Sequence, residues 1–188
     1  MRRVAAVVLA AGEGRRFGGP THKLLAELRG RPVVAWAVEA AFAAGLDATA
    51  VVTGAVGLAA VLPADVVRVD NPRWAEGQAT SLAAAIAWAD PAGFDAVVVG
   101  VGDQPFVPAS AWQAVAAGDG RHPIVAAAYA GQRASPVRLD RSIWSLLPRE
   151  GDAGARVLMS QRPDLVGAVP CDGSPADIDT VEDLERWS

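Results

Sequence analysis

Short valine-rich apolar runs alternate along this chain with longer alanine-rich stretches, and Gly, Pro or Asp marks most of the transitions. Residues 4–9 (VAAVVL) are continuously apolar, the pattern of a strand buried on both faces of a parallel sheet rather than of one with a wet face. Residues 48–53, 66–69, 96–101, 124–129 and 165–169 read the same way. Between them, residues 33–44, 80–89, 109–117 and 153–161 read as helices, the first closed by Gly45 as a C-cap. Shorter helices are expected at 56–62 and 142–147, and a last one from about Val181. Such βα alternation predicts an α/β fold, a three-layer αβα sandwich whose mostly parallel sheet gathers ligands at the carboxyl ends of its strands. A chain of 188 residues suits a single domain over residues 1–188.

Where the first strand ends, the chain reads Leu9-Ala10-Ala11-Gly12-Glu13-Gly14-Arg15-Arg16-Phe17-Gly18-Gly19-Pro20-Thr21-His22-Lys23. Glycines at 12, 14, 18 and 19 permit positive φ and close backbone approach, so successive N–H groups can converge on phosphate oxygens. Arg15, Arg16 and Lys23 add positive charge, and Lys23 is the one lysine among 17 basic side chains. In a chain so biased to arginine, a lysine suits a place that needs a compact point charge. A P-loop would require Gly-Lys followed by Ser or Thr, and Lys23 lies between His22 and Leu24. A dinucleotide fingerprint would require glycine at 17, where Phe17 stands.

Charge and composition narrow the partners. A net charge of −4 and a pI near 5.1 argue against a nucleic-acid surface and leave room for a small anion held by a local positive site. Cys171 is alone, which excludes an intrachain disulfide and a thiolate metal cluster. An intracellular, cytoplasmic protein without a membrane partner is expected, since no apolar run approaches the ~18 residues of a membrane span.

Two acidic groups sit where chemistry is expected. Asp103 follows the apolar run 96–101, in Gly102-Asp103-Gln104-Pro105, and so faces the same edge as the first loop. A carboxylate beside bound polyphosphate would repel it unless a divalent cation stood between them, so the pairing predicts Mg²⁺. Asp177, Asp179, Glu182 and Asp183 surround Thr180. Thr180 and Asp183 have capping-box spacing, which leaves Asp177 and Asp179 over, with Asp179 the candidate second metal ligand. Arg156, in Gly151-Asp152-Ala153-Gly154-Ala155-Arg156, opens a helix where it can meet an anionic acceptor.

These blocks, together with Gly77-Gln78-Ala79-Thr80-Ser81-Leu82 and Asp177-Ile178-Asp179-Thr180, closely resemble the MobA/MocA-like nucleotidyltransferases, in family order from Leu9 to Leu184. The resemblance is strongest to the molybdenum cofactor cytidylyltransferase branch. It implies a Rossmann-like fold of the nucleotide-diphospho-sugar transferase type, with transfer of CMP from CTP to a phosphorylated small molecule, molybdopterin foremost, and release of pyrophosphate. It further implies that Leu9, Ala10, Ala11, Gly12, Gly14, Lys23, Ser81 and Asp103 bind the nucleotide, that Arg16, Lys23 and Asp103 are catalytic, and that Asp103 and Asp179 hold Mg²⁺. Ala11 tips the nucleotide toward CTP over GTP, and a molybdoenzyme or its chaperone is the implied protein partner.

Two departures stand out. Thr21 and His22 separate the loop proline from Lys23, with His22 read as an exposed loop histidine, and Arg133-Ala134-Ser135-Pro136 replaces the Arg-Gly-His-Pro of many relatives, which bears on the acceptor. A guanylyltransferase or a sugar- or polyol-phosphate nucleotidyltransferase is the close alternative. A nicotinamide-binding oxidoreductase is disfavoured by Phe17. A non-catalytic nucleotide-binding module would not need Lys23, Asp103 and Asp179 together.

Overall fold

The computed structural model describes residues 2–188. Its main element is a seven-stranded sheet in the order β5 (Val67–Asp70), β4 (Ala48–Thr53), β1 (Val4–Ala10), β6 (Ala96–Val101), β8 (Gln132–Asp140), β7 (Ile124–Tyr129) and β9 (Val166–Pro170). β1 lies between parallel neighbours, with Leu9 in register with Val52 on β4 and with Val101 on β6. β7 and β9 are also parallel, whereas β8 runs antiparallel to both β6 and β7. The expected α/β sandwich with a mostly parallel sheet is therefore present.

The period-2 geometry of a strand sorts β1 into two cores. Ala6 and Val8 join Val34 and Val38 of α1 (Val33–Ala43) and Trp112 of α3 (Ala109–Ala117) on one face. Ala5 and Val7 join Leu82 and Ala85 of α2 (Gln78–Ala89), Trp144, and Leu158 of α4 (Arg156–Gln161) on the other. All four of these β1 residues are fully buried. A satellite cluster outside the sheet holds Phe17, Leu28, Val33 and Ile178, covered by Val181, Leu184 and Trp187 of α5 (Val181–Trp187).

Several local expectations need correction. Residues 56–62 form turns and no helix. Gly57 interrupts the run and Pro63 ends it, so the segment has both a weak interior and a forced stop. The segment expected at 142–147 is a 3₁₀ helix at Arg141–Leu146. The helix expected from 153 begins at Arg156, because Gly154 holds a φ of +50°. β8 has no counterpart in the expected elements. It contains Pro136, which cannot donate to a ladder, and the β7–β8 register shifts between Ala126 and Ala127, opposite that stretch. Also unforeseen is a hairpin of β2 (Glu27–Leu28) and β3 (Arg31–Pro32), turned by Arg29 and Gly30 with φ of 51° and 77°, the positive pair that tight hairpins require.

Candidate active site

Because β1 and β6 are parallel neighbours, the loop after Ala10 and the turn after Val101 leave the sheet side by side. Gly102 N–H donates to Leu9 O at 2.9 Å, and a Cβ at Gly102 would meet Ala10 Cβ at 3.2 Å. This tight crossing delivers Asp103 to the foot of the glycine-rich loop. Within the loop, Gly14 has a φ of +68°, its carbonyl accepts from Phe17 N–H at 3.0 Å, and a side chain there would crowd Lys23 Cγ at 3.0 Å.

The loop ends by placing one ammonium between two carboxylates. Lys23 Nζ lies 2.5 Å from Asp103 Oδ2 and 2.9 Å from Asp179 Oδ1, with its side chain only 13% exposed. Burial alone would push the ammonium toward its neutral form; the attraction and hydrogen bonds of the two acids more than offset it and hold Lys23 above its ordinary pKa. The exposed Arg16 reaches the other oxygen of Asp179 at 3.0 Å. Arg16, Lys23, Asp103 and Asp179 thus form one alternating cluster.

Asp179 arrives from the far end of the chain, and its position has a visible cause. Ile178 N–H donates to Asp103 O at 2.9 Å, while Gln104 Nε2 donates to Asp177 Oδ1 at 2.7 Å and to Pro175 O at 3.0 Å. The strap of residues 175–179 is therefore tied to the turn that carries Asp103. Burial pushes the Asp177 carboxyl above its ordinary pKa, and the negative Asp103 and Asp179 add to this, against the lowering bond from Gln104. Asp183 is otherwise engaged: its carboxylate accepts from Thr180 N–H at 3.0 Å while its own N–H donates to Thr180 Oγ1 at 3.1 Å. The capping box is formed, leaving Asp179 as the acid that faces the cluster.

Two clefts open on either side of Asp103. The first, about 400 Å³, is lined by the loop from Leu9 to Arg15, by Lys23 and Asp103, and across from them by Trp74, Gln78 and Ser81. The second, about 600 Å³, is rimmed by Arg16, Arg133 and Arg156, with Leu82, Val99 and Met159 among its apolar lining and Asp177 and Asp179 at its side. Every residue expected to bind nucleotide, namely Leu9, Ala10, Ala11, Gly12, Gly14, Lys23, Ser81 and Asp103, lines the first cleft. Ser81 is buried and its Oγ accepts from Asn71 Nδ2 at 3.0 Å.

His22 departs from its expected exposure. It is half-buried, with Nε2 3.0 Å from Gly12 O and Nδ1 accepting Leu24 N–H at 3.2 Å. The accepting Nδ1 makes Nε2 the protonated nitrogen of a neutral ring, which clasps the start of the loop to its end. Burial lowers the pKa of His22, and the adjacent Lys23 charge contributes. Sequence reasoning also gave no role to Gln104 or Asn71. For Gln104 the one available signal was its place in the strand-end motif.

The blocks at 77–82 and 151–156 also meet. Gly77, with a φ of +107°, starts α2 directly against the later loop: Ala79 N–H donates to Gly151 O at 2.9 Å, and a Cβ at Gly77 would lie 2.5 Å from that oxygen.

Among the described residues no group of three His, Cys, Asp or Glu side chains is placed to hold a metal ion by itself. Asp103 and Asp179 nevertheless share one cation, the Lys23 ammonium, so the two carboxylates are spaced to bracket positive charge. That donor set fits Mg²⁺, which binds one or two carboxylates and completes its shell with water and substrate phosphate. No helix among the described residues is long and apolar enough to cross a membrane.

Comparison with known proteins bears on the family and the fold. Residues 6–166 match the MobA-like NTP transferase domain. The chain is 31% identical to nicotine blue oxidoreductase of Paenarthrobacter nicotinovorans over 97% of its own length and 95% of that protein's. It is 37% identical to molybdenum cofactor guanylyltransferase of Cereibacter sphaeroides, across 56% of this chain and 53% of that one. Among solved structures it superposes on Rv0371c of Mycobacterium tuberculosis with a TM-score of 0.83, 30% identity and coverage of 99% and 97% of the two chains. A manganese complex of Rv0371c aligns with a TM-score of 0.78, 28% identity and coverage of 98% and 97%. The chain therefore belongs to the MobA-like NTP transferase family and is a nucleotidyltransferase by sequence and by fold.

Proposed function

We propose that this protein transfers CMP from CTP, in the presence of Mg²⁺, to the phosphate of a small acceptor, molybdopterin foremost, and releases pyrophosphate. The observation that carries this reading is the Lys23 ammonium between Asp103 and Asp179 at the junction of two clefts. The first cleft suits the nucleotide and the second an anionic acceptor, so that the bond to be made and the bond to be broken both lie near Asp103.

In this reading an acceptor phosphate oxygen attacks the α-phosphorus, the bond to the bridging oxygen breaks, and the electron pair leaves with pyrophosphate. A phosphate monoester is already ionised near neutral pH, so no side chain need remove a proton. Asp103 and Asp179 would hold Mg²⁺, which when bound neutralises phosphate charge. Lys23 and Arg16 add fixed positive charge where negative charge accumulates on the leaving group, and the loop backbone orients the phosphates. Arg133 and Arg156 rim the acceptor side.

CTP is favoured over GTP on Ala11, against the guanylyltransferase name of the Cereibacter sphaeroides relatives. The experiment is incubation with α-labelled CTP or GTP and molybdopterin, following label transfer and pyrophosphate. Stoichiometric CMP transfer supports the reading, GMP transfer reassigns the nucleotide, and pyrophosphate release without an acceptor adduct reassigns the acceptor. The full-length similarity to nicotine blue oxidoreductase favours one second reading, a reduced nicotinamide dinucleotide in the first cleft. Titration with NADH separates the two.

A further inference from the structure

Phe17 is an anomaly in its surroundings. Its neighbours Arg16 and Gly18 are exposed, yet the Phe17 ring is 5% exposed. The ring leaves the loop and enters the satellite cluster with Leu28, Val33 and Ile178, under Val181, Leu184 and Trp187 of α5. Gly19 makes room for it, since a Cβ there would lie 2.5 Å from Phe17 Cε1.

Ile178, fully buried, occupies the same cluster and stands between Asp177 and Asp179 in the chain. One apolar plug thus fixes two charged segments at once. Its first member is preceded by Arg16, which pairs with Asp179 at 3.0 Å. Its second member binds the Asp103 carbonyl through its N–H at 2.9 Å. Few other ties hold the middle of the loop: among the described backbone bonds, Phe17 N–H to Gly14 O is the one made by residues 15–20 as donors. Loop and strap are therefore registered to each other through side-chain packing, and interior packing resists small displacements.

We propose that Phe17 and Ile178 are positioning residues. By sharing one buried cluster closed by α5, they set Asp179 and Arg16 relative to Asp103 and Lys23, and so determine how strongly metal and nucleotide bind together. This rests on the functional reading above for the identity of the ligand. The coupling of loop to strap does not.

The test uses the full chain with Phe17→Ala, Ile178→Ala, the conservative Phe17→Leu, and Val115→Ala as a control that opens the main core away from the site. In ligand-free protein, hydrogen exchange should accelerate at least tenfold at the Ile178 amide in Phe17→Ala and at the Phe17 amide in Ile178→Ala, with Phe17→Leu near wild type. In calorimetry with CTP, the factor by which Mg²⁺ tightens binding should fall at least tenfold in both alanine variants and be preserved in Phe17→Leu and Val115→Ala. Exchange that accelerates no more than in Val115→Ala overturns the coupling. Accelerated exchange with an unchanged Mg²⁺ factor overturns the positioning role. Wild-type protein without Mg²⁺-dependent CTP binding overturns the functional reading instead, and exchange alone then decides the coupling.

Discussion

Lys23 and Asp103 meet at 2.5 Å although 80 residues separate them in the chain. The contact exists because β1 and β6 are parallel neighbours whose carboxyl ends both open at the sheet's ligand edge, and Asp179 completes it from the opposite terminus. The ammonium is the counter-ion that lets two acids lie close together, and in the proposed reaction it is also the charge that meets a polyphosphate.

Replacing Lys23 by Ala should lower turnover about 10²- to 10³-fold while weakening nucleotide affinity much less, because the charge matters most as pyrophosphate departs. Steady-state kinetics with CTP varied measures this. Equal losses in kcat and affinity would contradict a transition-state role.

His22 gives the loop a pH dependence. Its pKa is depressed by burial, so the unfolded or unclasped chain takes up a proton first as pH falls. The clasp contributes fully above the ordinary histidine value of about 6.5, weakens as pH falls from there toward the depressed value, and is lost below it. The facing charges are Lys23, which lowers the pKa, and Glu13, which raises it. NMR titration of the ring should give a midpoint below that of a free imidazole, with nucleotide affinity falling over the same window. Replacement by Ala should remove this pH dependence from the loop.

Gly77→Ala should destabilise the protein by about 2 kcal/mol or more, since its φ of +107° is poorly suited to an L side chain and the new Cβ would press on Gly151 O and Asp152 Oδ1. Denaturant unfolding reads the loss. Gly12→Ala, whose Cβ meets no protein atom within 4 Å, should leave stability nearly unchanged and weaken nucleotide binding.

What the sequence made legible follows from what each element asks of its neighbours. β1, β4, β6 and β7 are buried on both faces and announce themselves as apolar runs. Asp103 and the glycine-rich loop were readable because strand ends mark the ligand edge of such sheets. β8 was hidden by Arg133, Ser135, Pro136 and Arg138. The last is a buried guanidinium that donates to Ala116 O, Ala117 O and His122 O, a role known only once α3 lies beside it. The Gln104–Asp177 bond spans 73 residues, and no local pattern encodes it. Phe17 looked like a blemish in a glycine fingerprint because its partners, Leu28, Val33 and Ile178 under the last helix, come from distant parts of the chain.

Whether Lys23, Asp103 and Asp179 form a metal-assisted nucleotide site is decided by calorimetric titration with CTP, GTP, ATP, UTP and NADH, with and without Mg²⁺, on wild type and Asp103→Asn. CTP should bind, with Mg²⁺ strengthening that binding at least tenfold in wild type and not at all in Asp103→Asn. Binding of NADH in preference to every triphosphate, or triphosphate binding indifferent to Mg²⁺ and to Asp103, would contradict it.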